Sequence, residues 1–376
     1  MAKPRYLAAM CCSSVYLTLT YSCRIGIVKK KLQLNRAQGI QMTRFLTAVS
    51  VVAFLAACDN KQPLVFSNDQ ETTIENEGVV TDSEGEPILD ENDEEIELTE
   101  EGIPEPIARN MVNANYDRNA GTLRVTIVGL DSTPLEAVYE RNPALDLPGY
   151  VGFSVQEDPL DRFFVAYAQT SEDGNTIGTL TMDGGQFTTY IAGVHYTQNG
   201  YTPHVSSQPD NGLVAYTGNY VGILNIGDPD DSLLKVPTTT VPDELLPQQP
   251  FRVTGDVVIN ADFVDMRVNG GVANREARGT GGATFDLDEI GFVPAAILEN
   301  GTFFGDVQRS DTSNIGNYAG TFGGPQASGI AAGVALTGDF VETVEGENEF
   351  GLIVLTKCGL PGDGQFCPDA QPDFDP

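Results

Sequence analysis

Between Asn317 and Phe340 the chain reads NYAGTFGGPQASGIAAGVALTGDF. The first half sets Tyr318, Gly320 and Phe322 on one face of an extended segment and Asn317, Ala319 and Thr321 on the other. The pattern breaks at Gly323-Gly324-Pro325 and resumes as an Ala/Val/Leu run ending at Gly338. Period two predicts strands, glycine supplies positive φ at the break, and proline cannot donate into a ladder, so the stretch is expected to form an antiparallel hairpin. A two-stranded ribbon this apolar is marginal in water, and further sheet must cover it.

The rest of the C-terminal half supplies that sheet. Strands are expected at Leu213–Asn225, Phe251–Ala261, Phe263–Asn269, Ala283–Asp288, Thr302–Val307, Asn317–Gly323, Ile330–Gly338 and Phe350–Thr356. In the second, Val253, Gly255, Val257, Ile259 and Ala261 share one face, and in the third Val264, Met266 and Val268 do the same. Eight successive strands with turn-rich links predict an all-β fold whose core is an eight-stranded antiparallel β-barrel over 211–358, the closure that removes sheet edges. A sandwich of two sheets is the alternative arrangement of the same strands. An eight-stranded barrel is just wide enough to be filled by side chains or to hold one small ligand.

The N-terminus predicts an address. Met42-Thr43-Arg44 precedes the apolar run Phe45 to Ala57, which is too short for the roughly 20 residues a membrane-spanning helix needs. It ends in Leu55-Ala56-Ala57-Cys58, which resembles a bacterial lipobox and makes 42–57 a lipoprotein signal peptide with Cys58 as the lipidated residue. Several acyl chains on one cysteine form an effectively permanent anchor, so the expected location is the bacterial outer membrane. Asp59 directly after the cysteine resembles an inner-membrane retention signal and leaves the leaflet open. Residues 1–41 hold Lys29-Lys30-Lys31, three Cys and no acid, and are expected to be an upstream extension from an early start codon, with Met42 the true start.

Charge narrows the partners. The sequence has 21 basic and 53 acidic residues, a net charge of -32, and removal of residues 1–57 takes away eight of the bases and none of the acids, giving -40. Such a surface excludes nucleic acid as a partner and repels anionic lipid. From 58 to 110 acids crowd among Gly, Pro, Ser and Asn, and this segment is expected to be a disordered acidic linker. The run Asp90 to Glu95 lacks the spacing and glycine turn of a Ca²⁺ loop.

The region 111–210 is β-rich but irregular, a smaller handle-like domain. Thr122–Val128 alternates cleanly, Phe163–Ala168 is apolar, and Thr176–Thr181 with Gln186–Ile191 flank a turn at Asp183-Gly184-Gly185. Tyr190, His195, Tyr196 and Tyr201 cluster after it and are the candidate ligand-binding residues, because Tyr offers large contact area at low entropic cost. Cross-strand pairing within the sheet is the other use of such aromatics. At the far end, in the tail 359–376 and the residue before it, Cys367 and Cys358 bracket an eight-residue Gly/Pro-rich loop and are expected to form a disulfide in an oxidising envelope.

Several fragments stand in a telling order: Tyr216-Thr217-Gly218-Asn219-Tyr220, Val253-Thr254-Gly255, Ala261-Asp262-Phe263, Gly301-Thr302-Phe303-Phe304-Gly305, and Gly320-Thr321-Phe322-Gly323-Gly324-Pro325-Gln326-Ala327. Together, over roughly 212–357, they resemble the C-terminal barrel of the transferrin-binding protein B family of surface lipoproteins. The resemblance implies a barrel beside a handle and a binding surface, with no particular ligand. The chain departs from the family at Gly329, where a Glu is usual, and carries one handle-like region and one barrel.

The function expected is therefore a lipid-anchored cell-envelope binding protein that takes a host or nutrient macromolecule or solute through handle and barrel-rim loops. The alternative is a lipocalin-like carrier of a small apolar ligand inside the barrel. No nucleophile elbow, zinc motif or phosphate loop appears, so no enzyme activity, cofactor or metal is expected.

Overall fold

The structure is a computed structural model that describes residues 72–74, 78–82, 87–89, 94–129, 133–186, 189–206, 212–338 and 346–367. Two short strands, β1 (Thr72–Ile74) and β2 (Val80–Asp82), pair with each other, and one turn of helix, α1 (Glu105–Ala108), leads into the first sheet. That sheet is a seven-stranded antiparallel meander in sequence order: β3 (Met111–Asp117), β4 (Thr122–Val128), β5 (Pro134–Arg141), β6 (Val151–Val155), β7 (Phe164–Thr170), β8 (Thr176–Asp183) and β9 (Ala192–Gln198). It curls until its ends almost meet, with the Asn110 amide donating to the Ala192 carbonyl at 3.0 Å. Met111, Leu123, Val125, Phe153, Phe164 and Ile191 pack inside the curl.

The second sheet holds β10 (Leu213–Gly227), β11 (Pro250–Asp262), β12 (Arg267–Arg278), β13 (Thr284–Asp286), β14 (Ile290–Ala296), β15 (Thr302–Arg309), β16 (Asn314–Gly323), β17 (Gly329–Gly338) and β18 (Glu347–Thr356). Its order is β11-β10-β18-β17-β16-β15-β14-β12, and pairing of β11 with β12 closes an eight-stranded antiparallel barrel. The sandwich is thereby excluded.

Two of the expected barrel strands differ from those formed, and one stave falls where none was expected. Phe263–Asn269 begins as a turn, because the Asp262 Oδ1 accepts the amides of Val264 (2.8 Å) and Asp265 (3.0 Å) and Met266 has φ +52°; the strand starts at Arg267. Ala283–Asp288 contributes only β13, a three-residue ribbon on the end of β12 and not a barrel stave. The missing stave is β14, which contains Pro294. Ala295 pairs with Val268 and Phe292 with Gly270, so Val293 and Pro294 together oppose Asn269. The proline thus sits in a bulge, where no ladder donor is needed.

A second bulge decides the barrel interior. Thr254 pairs with Glu276 and Asp256 with Ala273, so Gly255 faces both Asn274 and Arg275. Asn274 takes φ +51° and donates to Asp256 outside. The inward phase moves from Val268 and Val272 to Arg275 and Ala277, and Arg275 points into the core, 2% exposed. There its Nη2 donates to Glu349 Oε2 at 2.6 Å, its Nη1 donates to the Asp288 carbonyl at 2.5 Å, and the Tyr220 hydroxyl donates to Glu349 Oε1 at 2.6 Å. Burial, then the Glu349 charge, holds the Tyr220 phenol protonated well above its usual range. The interior also holds an aromatic column: Phe263 to Phe322 (5.2 Å between ring centroids), Phe322 to Phe303 (5.3 Å), Phe303 to Tyr318 (5.9 Å) and Tyr318 to Phe292 (4.7 Å).

The curled sheet lies against the outside of the barrel. Phe350, Leu352 and Val354 of β18 with Val221 and Ile223 of β10 share a core with Val165, Tyr167, Leu180, Met182 and Val194. Close approach requires glycine: a Cβ on Gly178 would stand 2.6 Å from Leu352, and one on Gly333 would stand 2.5 Å from Ile107. Ile107 shows that part of the expected linker is packed. Within 58–110, Val80, Ile96, Ile103, Ile107 and Ala108 are buried in this core, and Val80, Ile88 and Ile96 exchange backbone bonds of 2.8 to 3.0 Å. Isolated isoleucines among acids suffice, because the acids can stay in water while each apolar side chain turns inward.

Removing one partner of the interior charge pair strands the other without water. Arg275→Ala is expected to cost about 3–5 kcal/mol in urea unfolding, whereas the triple change Arg275→Met, Glu349→Leu, Tyr220→Phe recovers most of that loss. A single variant as stable as the parent would contradict the pairing.

Candidate functional site

Four connectors converge at one end of the seam between the two sheets. The first is the turn from β7 to β8. Asp173 organises it, its Oδ1 accepting Ser171 Oγ (2.7 Å) and the Asn175 amide (3.0 Å), while Ser328 Oγ bonds its Oδ2 from the barrel side. Burial acts to raise the Asp173 carboxyl, but the bonds from Ser328, Ser171 and Asn175 outweigh it and leave the group below its ordinary value. The second connector is the turn after Phe322, at Gly323-Gly324-Pro325. Gln326 (φ +54°) and Ala327 (φ +51°) are both left-handed without being glycine, a conformation that persists only when its surroundings over-determine it. The surroundings are Thr202, whose Oγ1 accepts the Gln326 amide and whose carbonyl accepts the Ala327 amide (both 2.8 Å), and Tyr216, whose OH donates to the Ala327 carbonyl at 2.5 Å. Lys357 Nζ donates to the Gln326 carbonyl at 2.7 Å.

The third connector is the Pro148-Gly149-Tyr150 corner. The β10–β18 ladder has partners 221–224 with 349–352, and the isolated pair Tyr216–Lys357 keeps the same register. Between them the strands part, and the Tyr150 hydroxyl fills the gap. It lies 3.0 Å from the Asn219 carbonyl, 3.1 Å from the Leu352 carbonyl, and accepts the Val354 amide at 3.0 Å. A phenol from the curled sheet thus replaces one rung of the barrel. The fourth connector is the loop closed by the Cys358–Cys367 disulfide, with Cα atoms 5.4 Å apart. The Cys358 amide donates to the Ala215 carbonyl, and a Cβ on Gly364 would stand 2.0 Å from the Thr217 carbonyl. The loop is therefore pressed onto β10 at the same place.

These connectors enclose a groove of about 520 Å³ whose floor is the parted rung, within the range of small-ligand and peptide sites. Gln169, Thr170, Ser171, Asn219 and Gln365 bring amides and hydroxyls, Glu172 and Asp363 bring carboxylates, and among the described residues neither Lys, Arg, His nor Cys lines it. A second hollow of about 580 Å³ shares Glu172 and Thr356 with the first and continues past Asp173, Gln326 and Lys357. Such a lining can bind by hydrogen bonds and charge, and its Ser171 and Ser328 hydroxyls are spent on the Asp173 carboxylate. Among the described residues no group of three or more His, Cys, Asp or Glu is placed to hold a metal ion.

The candidate residues Tyr190, His195, Tyr196 and Tyr201 do not form one exposed face. His195 is 4% exposed with its Nε2 2.6 Å from Glu101 Oε2, and Tyr196 is 6% exposed in the shared core, where burial raises its phenol far above the usual range. Tyr190 lies half-buried beneath the Arg109 guanidinium, 4.5 Å from its ring centre. Tyr201 packs on the barrel interior against Gly301, and burial pushes it up to about 12. Consecutive strand residues alternate in direction, and here both sides of β9 are covered, so sequence proximity does not become a surface. Of the expected strand Gln186–Ile191 the described residues make only an isolated bridge, Gln186 with Thr189, and β9 starts at Ala192. Cys58 lies outside the described residues. The Tyr150 rung had no signal in the sequence beyond a Pro-Gly corner.

A closed barrel with a nearly closed sheet on its flank defines a handle-and-barrel lobe. Solved structures similar to this chain include a double mutant of transferrin binding protein B from Haemophilus parasuis (11% identity, 64% of this chain and 52% of that one, TM-score 0.29) and isotype 1 transferrin binding protein B from Neisseria meningitidis (10% identity, 64% and 50%, TM-score 0.29). A protein of unknown function of the DUF3598 family from Nostoc punctiforme is also similar (12% identity, 69% and 92%, TM-score 0.20). The chain spans about half the length of the two transferrin binding proteins. No family model matches the sequence, and no curated protein matches it.

Two measurements check the seam. Tyr150→Phe leaves the buried Val354 amide without its acceptor, so a loss of about 1–3 kcal/mol is expected, with faster hydrogen exchange at Val354. An unchanged exchange rate there would rule out the rung. Because the folded Asp173 value lies below the unfolded one (about 3.9), its contribution is complete above the unfolded value and disappears as pH falls through the folded one. Asp173→Asn should therefore flatten the acid side of a plot of thermal midpoint against pH.

Proposed function

We propose that this chain is a lipid-anchored binding protein of the bacterial cell envelope that captures a protein or solute ligand through the loops of its handle and barrel rim. One observation carries the reading: the barrel interior is taken up by the Arg275–Glu349–Tyr220 network and the aromatic column, so ligand contact falls to the outer connectors. A carrier of an apolar molecule inside the barrel would have to displace those rings at the cost of their packing. The seam groove offers hydrogen-bonding groups held by a disulfide, a clasped turn and a strained one, which is how a loop site is kept in shape without ligand. The membrane attachment rests on Leu55-Ala56-Ala57-Cys58, and with it the assignment to the outer membrane.

Metabolic labelling with a fatty acid tests the anchor: the parent is expected to carry label and fractionate with the envelope, and Cys58→Ala to carry none. Protease treatment of intact cells followed by affinity capture tests the role. An intact handle on treated cells together with no captured partner under any condition would overturn it.

A further inference from the structure

The seam groove has charge of one sign. Glu172 and Asp363 stand on its walls without a cation in the lining, and the adjoining hollow adds Asp173. The cation of that hollow, Lys357, is engaged with the Gln326 carbonyl. Arg118 approaches Glu172 from outside at 3.7 Å, with both side chains more than half exposed, and a pair of that kind is weak and easily exchanged. The whole chain carries -32, so its field draws cations toward any concave acidic surface. Shape narrows the class further. The two hollows lie side by side and share Glu172 and Thr356, which favours an extended ligand over a compact one. Amides and hydroxyls along the walls supply both donors and acceptors, as a peptide backbone requires. On the disulfide loop Phe366 stands 46% exposed, next to Gln365 of the groove wall, where its ring can meet the stem or head of a Lys or Arg side chain.

From these features we infer that the double groove receives an extended, Lys- or Arg-bearing segment of a partner protein. Glu172 and Asp363 meet its cations, and the Cys358–Cys367 loop is the wall that holds Asp363 in place. The inference rests on the binding-protein reading above and names the partner's chemistry.

The test uses full-length protein extracted in mild detergent and three short fluorescent peptides of one spacer pattern, carrying Lys/Arg, Gln or Glu. Anisotropy titrations are expected to show saturable binding of the cationic peptide alone, weakened at least about fivefold by Glu172→Gln/Asp363→Asn. Asn at 363 keeps an acceptor for the Gly359 amide that Asp363 now receives at 2.8 Å. Glu140→Gln/Glu299→Gln removes two exposed carboxylates that do not line the groove, and should leave binding unchanged. Cys358→Ser/Cys367→Ser should weaken binding like the groove variant; should it fail to fold, the carboxylate pair still decides. Equal loss in the groove and control variants, or no binding of the cationic peptide, overturns the inference. A natural partner captured equally by parent and groove variant also overturns it while the binding-protein reading stands. Absence of any natural partner strikes that reading, and the peptide titration then judges the groove by itself.

Discussion

The handle's grip on the outer wall of the barrel is the interaction on which the other features depend. It makes β18 apolar on both sides, with Ile353 and Leu355 turned inward and Phe350, Leu352 and Val354 turned toward the handle. Along that contact the Tyr150 phenol enters the barrel's own ladder, and the parting of β10 from β18 that admits it is the floor of the groove. The site therefore exists only because the two sheets are docked; neither sheet alone encloses it.

Inside the barrel the constraint is different. Irregular backbone, and not regular alternation, decides what is buried. The bulge opposite Gly255 turns Arg275 inward, and Glu349 and Tyr220 must then be placed to receive it. The bulge at Val293-Pro294 lets a proline stand in a barrel stave, and the Tyr318 hydroxyl donates to the Val293 carbonyl at 2.6 Å across it. Both bulges occur where β12 meets a neighbour, the first with its extra residue in β12 and the second with its extra residue in β14.

The legibility of this sequence followed the strength of its local signals. The hairpin through Phe322-Gly323-Gly324-Pro325 was plain, since Gly and Pro have few uses other than a turn, and the cysteines bracketing 359–366 pointed to their own disulfide. The barrel was readable as a strand count, but one stave was assigned to the wrong segment. Val264, Met266 and Val268 keep period two through what is an Asp262-capped turn, while Pro294 disguises a true strand. Composition also misled, because a window rich in acids averages away Ile96, Ile103 and Ile107, which pack one at a time. The groove was hidden for a further reason: Tyr150, Glu172, Asn219 and Asp363 are brought together by docking, and no spacing along the chain encodes it.

The polarity of the barrel wall has a consequence for what its outer face can meet. Its interior is greasy and aromatic, while Asn260, Asn269, Asn274 and Arg278 face outward into solvent on the side away from the handle. A pore-forming barrel is built the other way round, with an oily belt outside and a wet lumen. The stave pattern thus has the opposite polarity to that of a pore-forming barrel, with its rings inside and its amides outside.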